Sequence, residues 1–532
     1  MDDYRSTLLV ILAGVQLLLV PAYRSTDFEV HRNWLAITHS LPIRKWYYDA
    51  TSEWTLDYPP LFAWFERAMA PLAAAADAKM LSVSNLEYAS PAAVLFQRVS
   101  VMATGLLLPA AAYYATRGGG GGGGGGGLKG QLLFFLLVAN SGLLIVDNIH
   151  FQYNGILMGL MIFSLVLASE RRYVASGALF AALLNMKHLF AYMAPVYFVY
   201  LLRNYCLGGD MIDGSGGKQG GRGGGGRGAA AAPAPLGAAA ARLALLGGAV
   251  AAVFAASLGP FLAMGQLPQL LSRLFPFGRG LCHTYWAPNA WALYSFADKL
   301  LAAALAAAGL RDKPLAHMAG GVVGTTTFAV LPQVGPKAAA AAVLLSLAPC
   351  LAALWRRPGR GALGAAVAYA NLCGFVWGYH VHEKAIITVT IPLALLAVER
   401  RAFAVDFLLL ASAGHAALFP LLFGWAEAPV KWLLVAVYFA VAAEGLSRLH
   451  GGGGGGGGGR GGGGSWLPAW CRWYMWGLVP LELYCGLGHR LLLGGRLPFA
   501  PLMLTSVYCA AAPVWVWGRM AAWYARGCPE QA

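Results

Sequence analysis

The chain has 532 residues, of which 58% are hydrophobic and only 11% charged. Soluble domains average about 45–50% apolar and about 25% charged residues, so a single soluble core is excluded and the chain reads as membrane-embedded. The formal net charge of +15 does not point to nucleic acid, because Lys and Arg sit at the ends of apolar runs and in Gly-rich connectors. That is how topology determinants are placed, and no basic face interleaved with aromatics appears.

In chain order, Leu8–Val20 is apolar but shorter than the roughly 20 residues that span a bilayer, so flanking residues must extend it. Acidic Asp2 and Asp3, and a poor cleavage site at Pro21-Ala22-Tyr23, argue against a signal peptide. Residues 1–21 therefore read as the first transmembrane helix, with a cytosolic N-terminus. Tyr23–Pro60 is crowded with Asp, Glu, His, Arg, Trp and Tyr between two apolar helices. It reads as a catalytic loop within a lumenal region 22–92, with Asp27 as the leading base. Asp57-Tyr58-Pro59-Pro60 breaks the chain, and Leu61–Ala70 reads as an interfacial amphipathic helix ended by Pro71. Val94–Ala115 is the second span. Arg117, Gly118–Gly127 and Lys129 form a flexible basic connector, cytosolic by the positive-inside rule.

Leu132–Val146 is a third span, and Asp147–Asn154 a polar turn on the lumenal side. Gly155–Ala168 returns to Glu170-Arg171-Arg172. Val174–Leu184 leads out to Lys187-His188, and Leu189–Leu202 comes back to Arg203. A Gly/Ala stretch with Lys218, Arg222, Arg227 and Arg242 reads as a disordered cytosolic linker, after which Leu243–Ala263 crosses again. Residues 93–265 thus form transmembrane helices with Gly-rich linkers, and 266–336 a second large lumenal loop. Ala290–Leu310 within it is apolar enough to span, but is read as not fully crossing, because Trp355-Arg356-Arg357 then falls on the cytosolic side. Residues 337–520 hold the C-terminal spans, and 521–532 a cytosolic tail. The expected fold class is an all-α polytopic membrane protein with about 14 transmembrane helices and large lumenal loops. The eight cysteines form no CxxC pair and read as small buried hydrophobes.

This topology gathers several polar clusters on one side: Asp27/Glu29/His31/Arg32, Asp147/His150/Gln152/Asn154, Lys187/His188 and His380/His382/Glu383/Lys384, joined by the Arg273–Trp286 loop. Ionisable groups at membrane depth are costly and are functional candidates by default; the competing reading of each alone is an interfacial anchor. Metal-ligand spacing is absent, since His380 and His382, two apart, do not share a helical face. No GxSxG and no P-loop occur. A carboxylate beside cations suits transfer from a phosphorylated donor. The carboxylate takes a proton from an acceptor hydroxyl and the cations stabilise the departing phosphate. One carboxylate suffices, where a glycosidase needs two.

The stretches STDFEVHRNW, WYYDATSEWTLDYPP, HFQYNG, NMKHLFAYMAP, LFPFGRGLCHTYWAPN and HVHEKAI, spread from Tyr23 to Ile387, carry a resemblance. Together they resemble the endoplasmic-reticulum glucosyltransferases of the GT-C fold group that extend the lipid-linked oligosaccharide for N-glycosylation. Of two sibling enzymes, the one adding the second glucose is similar at STDFEVHRNW, SEWTLDYPP and RGLCHTYWAPN. The resemblance implies dolichyl phosphate β-glucose as donor and Glc1Man9GlcNAc2 on dolichyl diphosphate as acceptor. It further implies a new α-1,3 linkage formed with inversion, a multi-pass protein among endoplasmic-reticulum membrane lipids with a lumenal site, and no metal or other cofactor. The family's base is the Asp of the first-loop D-[FY]-E motif, here Asp27. Lys187, Arg279, His382 and Lys384 are assigned to the donor phosphate. Glu29, Asp57 and His150 are candidate substrate partners, Asp57 competing with a role in capping the Pro-Pro turn. Trp46, Trp54 and Trp286 are candidate sugar-stacking rings or belt anchors. The Gly-rich runs are not family features and read as tolerated loops. The rival readings are the sibling that adds the first glucose, a secondary transporter, which would show internal repeats and broken helices at mid-membrane, and a non-catalytic lipid-binding protein.

Overall fold

Backbone polar groups in lipid must bond within their own segment, and helices allow this. The computed structural model describes residues 2–117, 127–208, 234–283, 286–310, 327–359, 361–422, 426–451 and 466–528. Over these residues the chain is helical, and its only β-type pairing is an isolated bridge between Cys282 and Val381. Most of the Gly-rich connectors, the linker with Lys218, Arg222 and Arg227, and residues 311–326 lie outside the described residues.

The first helices are α1 (Asp2–Leu18), α2 (Thr26–Ser40) and α3 (Pro60–Asp77). Next, α4 (Pro91–Gly105) and α5 (Leu107–Arg117) continue as one apolar stretch. Helix α6 (Leu128–Val138) passes through a single turn, α7 (Ser141–Leu143), into a π-helix over Leu144–Phe151. Then come α8 (Asn154–Ser169), α9 (Tyr173–Met186), α10 (Ala194–Leu201), α11 (Leu236–Ala263), α12 (Leu267–Leu274) and α13 (Ala290–Ala307). The C-terminal part holds α14 (Pro336–Arg356), α15 (Ala362–Trp377), α16 (Ile387–Ala397), α17 (Arg401–Ala416), α18 (Ala428–His450), α19 (Ala469–Leu483), α20 (His489–Leu493) and α21 (Ala500–Ala525).

Among the described residues, eight helical stretches are long and apolar enough to cross a membrane, and α1, α8, α9 and α15 are shorter apolar helices beside them. The chain is thus an all-α, multi-pass membrane protein. Helix α13 is one of the eight by length and composition, where the sequence suggests a helix that does not fully cross. Burial sorts the spans: within an 18-residue apolar window, 94% of the residues are buried in Leu128–Phe151 and 83% in Arg401–Leu421, against 17% in Leu236–Ala263. The first two run through the centre with α15 and α16, and α11 presents leucines to lipid.

Several local expectations are corrected. Tyr23–Pro60 is not one loop, because α2 forms inside it; Asp27 and Glu29 in its first turn suit the positive end of the helix dipole. Pro71 does not end α3, which runs on to Asp77. Pro71 forfeits one backbone bond, but the alanines after it favour helix and Ala73 is buried against the core. Asp147–Phe151 is π-helical rather than a turn. Arg242 lies in α11 rather than in a linker, its guanidinium donating to the Tyr205 carbonyl. Helix α21 ends at Ala525, beyond the boundary at 520.

Helix α8 packs against α5 and α9. The α5–α8 crossing is close because Gly159 carries no side chain. A Cβ there would stand 2.7 Å from the Leu107 carbonyl carbon and 2.9 Å from its oxygen, and one on Gly155 would stand 2.9 Å from Gly105 Cα. Backbone cannot yield as a side-chain tip can. Gly159→Ala is therefore expected to destabilise the protein by about 1–3 kcal/mol, as overpacking does. The measurement is thermal unfolding in detergent, and an unchanged midpoint would mean that the two helices can separate without cost.

Candidate active site

The site forms where helix ends converge. Ser25 precedes α2 and sets Asp27 in its first turn. The π-helix ends at Phe151, and Gln152 and Tyr153 bridge to α8. Lys187 follows α9 directly. Glu383 opens a short 3-10 turn between α15 and α16, and Lys384 is its second residue. Polar groups appear where the apolar runs stop, so elements far apart in sequence deliver them to one place.

Asp27 is the hub. Lys384 Nζ donates to its Oδ2 at 2.6 Å, and Gln152 Nε2 donates to the same oxygen at 2.6 Å. His150 Nε2 stands 3.5 Å from that oxygen and 3.1 Å from Lys384 Nζ. Among the described residues every partner of Asp27 meets Oδ2, and none occupies Oδ1. The side chain is 22% exposed, so Oδ1 can be reached. Burial alone would raise the Asp27 pKa, but the charge of Lys384 and the His150 imidazole outweigh it and hold the carboxyl well below its usual range.

Around the hub, Asn154 donates to Gln152 Oε1 at 2.9 Å and to Asp147 Oδ1 at 2.8 Å, and the Gly155 N–H caps Asp147 Oδ2 at 2.7 Å. Lys187 Nζ donates to Asn154 Oδ1 at 3.2 Å and lies 5.1 Å from the Tyr58 ring centroid. Burial, with the nearby charge of Lys384, brings the Lys187 ammonium down to about 8. Asp57 meets both terminal nitrogens of Arg279 at 3.4 Å. Burial raises its pKa, Arg279 opposes this, and the charge of Asp27 is near enough to add to the rise.

His382 and Glu383 stand beside His283, with ligand atoms of all three within 4.8 Å of one another. These are the residues whose donor set could hold a metal ion. Burial, reinforced by Lys384, keeps the His382 pKa well below its ordinary value. His382 Nδ1 lies 3.3 Å from the Lys384 backbone nitrogen and 3.0 Å from Glu383 Oε2. Glu383, 2% exposed, has its pKa raised by burial.

Asp27, His150, Lys187, His382 and Lys384 are thus drawn together, with the Asp57–Arg279 pair at the edge. Glu29 is engaged elsewhere: Arg32 grips both its oxygens at 2.6 and 2.7 Å and also donates to the Met80 and Ser82 carbonyls. Trp286 is turned toward Lys299, 6.0 Å from its ring, and its carbonyl accepts from Ser506. Trp46 is 2% exposed against Trp64 and Phe261 and cannot meet a ligand, whereas Trp54 is 41% exposed.

Gln152 belongs to the polar cluster read at Asp147/His150/Gln152/Asn154 but carries no role there, because a neutral amide looks like an ordinary interfacial residue. Two further supports went unread. Arg98 donates to the Asn148 and Ile149 carbonyls at 2.7 and 3.1 Å and to Tyr23 O at 2.9 Å, joining the end of the π-helix to the entry of α2. Beneath Asp27, His31 Nδ1 and Glu66 Oε1 meet at 3.0 Å, and Trp34, Tyr58, Phe62, Phe151 and Tyr153 surround the imidazole. Phe151 takes a positive φ of 89°, a strained conformation for a bulky residue. It is the position that turns His150 and Gln152 toward Asp27.

Residues 12–520 match the profile of the ALG6, ALG8 glycosyltransferase family. The chain is 43% identical over 514 residues to a protein of Arabidopsis thaliana named dolichyl pyrophosphate Glc1Man9GlcNAc2 alpha-1,3-glucosyltransferase, with 95% of each chain covered. A Mus musculus protein of the same name is 43% identical over 516 residues, covering 94% of this chain and 92% of its own. One from Neurospora crassa is 42% identical over 511 residues, covering 96% of each.

Glu66 is 1% exposed, and its removal strands the buried His31. Glu66→Leu is expected to cost about 2 kcal/mol, as an unsatisfied buried polar group does, and Glu66→Gln, which can still bond the ring, less. Thermal unfolding of the two variants side by side measures this; equal midpoints would show that the pair holds nothing.

Proposed function

The chain belongs to the ALG6, ALG8 glycosyltransferase family, and from that premise we propose the following reaction. It is an α-1,3-glucosyltransferase that takes glucose from dolichyl phosphate β-glucose. It adds this to Glc1Man9GlcNAc2 on dolichyl diphosphate, at the lumenal face of the endoplasmic-reticulum membrane and on a GT-C-type scaffold. The observation that carries this reading is Asp27, a carboxylate with one open oxygen inside a group of cations.

In the reaction, Asp27 Oδ1 accepts the proton of the acceptor hydroxyl as that oxygen attacks the anomeric carbon. The bond from this carbon to the phosphate oxygen breaks on the opposite face. The configuration inverts, and dolichyl phosphate leaves with the electron pair. Lys187, Lys384 and Arg279 supply positive charge where the phosphate gains negative charge, and His382 beside Lys384 supplies a ring nitrogen for a further hydrogen bond. A carboxyl held low by Lys384 is a weak base. An arriving phosphate competes for that ammonium, and as Lys384 turns to it Asp27 becomes more basic. Donor binding thereby prepares the base, and Gln152 keeps the carboxylate aimed while its cation is shared. Asp57 is assigned to accept from a sugar hydroxyl, whereas His150, with Nδ1 at the Tyr23 hydroxyl at 3.2 Å and Nε2 at Lys384 Nζ at 3.1 Å, supports the Asp27–Lys384 pair rather than a sugar.

The test uses purified protein in detergent with dolichyl phosphate glucose and, separately, the unglucosylated and the monoglucosylated acceptor. Transfer is expected to the monoglucosylated acceptor alone. Asp27→Asn is expected to lower kcat by about a hundredfold or more, the range of a lost general base. Transfer to the unglucosylated acceptor would assign the first glucose instead, and full activity in the Asn variant would move the base to another group.

A pH profile examines the cations. Lys187 carries its charge below about 8 and loses it as pH rises through that value. For the free enzyme, kcat/KM for the donor is therefore expected to fall on the alkaline side with an apparent pKa of about 8. Lys187→Arg should push that limb upward, because guanidinium stays charged. A limb that stays put in the Arg variant would remove Lys187 from the donor site.

A further inference from the structure

The acceptor proposed above contains one glucose, nine mannoses and two N-acetylglucosamines. Only its terminal sugar can sit at Asp27, so the others must run over protein surface or hang in water. The structure offers them a course. Asp57, beside the reacting centre, begins it. Trp54 comes next: its carbonyl is pinned by the Asn33 and Trp34 side chains at 3.4 and 3.3 Å, halfway along α2, and its ring is exposed. The segment then reaches Thr51 and Asp49, which line a cavity of about 530 Å³ at the far end of α2. Asp27 and His39 are twelve residues apart on that helix, a rise of about 18 Å, so the cavity is separate from the reacting centre.

The cavity is an open depression whose rim carries His39, Ser40, Asp49, Thr51, Ser82 and Ser84 and whose floor is apolar, with Leu41, Ala78, Leu81 and Val83. The volume falls within the range of about 300–1,000 Å³ typical of small-molecule clefts. The polar groups are already oriented. Asp49 accepts from the Thr51 backbone N–H at 3.2 Å and from its hydroxyl at 3.0 Å, and the Ser82 and Ser84 hydroxyls meet at 3.1 Å. A carboxylate, hydroxyls and an imidazole over an apolar floor suit a hexose, which presents hydroxyls at its edge and C–H groups on its face. The strip is also braced from the second lumenal loop, since Arg273 donates to Tyr47 O at 3.1 Å and Thr55 Oγ1 at 3.0 Å.

We propose that this cavity is a distal sugar subsite holding a mannose of the acceptor, and that Trp54 supports a sugar between it and Asp27. The proposal rests on the glucosyl-transfer reading. It is tested with two acceptors: the full monoglucosylated oligosaccharide on lipid diphosphate, and a short lipid-linked acceptor presenting the terminal glucose without the distal mannoses. Asp49→Ala removes the carboxylate, and Ser84→Trp fills the cavity without touching Asp49. Each is expected to raise KM for the full acceptor about tenfold, equivalent to one charged hydrogen bond. The same variants should leave kcat, the donor KM and the short acceptor unchanged. KM unchanged in both variants, or raised equally for the two acceptors, would overturn the subsite while leaving glucosyl transfer standing. Wild type that transfers glucose to neither acceptor would instead overturn the transfer reading, and the subsite with it.

Discussion

The ion pair between Asp27 and Lys384 joins residues 357 positions apart, and the arrangement around it depends on that meeting. Neither partner could be kept in this place alone. An unpaired charge among apolar helices is costly, whereas a hydrogen-bonded pair is tolerated. Lys384 follows α15 and Asp27 opens α2, so the pair forms only when the central bundle and the segment carrying α2 are docked. In the proposed reaction, the need for a base beside phosphate-binding cations and the need for a correctly assembled membrane domain are met by this one contact.

Support for that contact is graded by distance. Gln152 and His150 touch it, and Asn154 and Asp147 orient Gln152. Arg98 ties the backbone that carries these residues to the chain entering α2. The His31–Glu66 pair, walled in by aromatic rings, fixes α2 on α3 one helical turn from Asp27. The supporting side chains are polar throughout and all buried, from Gln152 at 8% exposed to Glu66 at 1%. Conformational freedom is thus removed progressively, leaving one carboxylate oxygen as the open feature at the centre.

Much of the site was legible in the sequence because ionisable residues are rare in this chain: Asp27, His150, Lys187 and Lys384 stand out against apolar surroundings, and all of them converge. The Arg279–Asp57 pair was legible residue by residue, but not as a pair. Other features left no such trace. A π-helix has no compositional signature, so Asp147–Phe151 read as a turn. The polar richness of Thr26–Ser40 disguised a helix, since its burial comes from neighbours rather than from its own periodicity. Glu29 looked available because a sequence does not show that Arg32, three residues on, would take both oxygens. His382 looked cationic because its desolvation depends on packing from distant segments.

The glycine crossings have a consequence for how such a chain can vary over time. At Gly159 and Gly155 a single methyl group would collide with backbone, so substitutions there are filtered out whatever they would do to the chemistry. The connector before Leu128 meets the opposite constraint. It joins the span at the end away from Phe151, about 35 Å from the site at 1.5 Å per residue. An insertion before Leu128 would enter at that far end of the span. Geometry thus makes a substitution costly where helices touch at glycine and cheaper where they are merely joined.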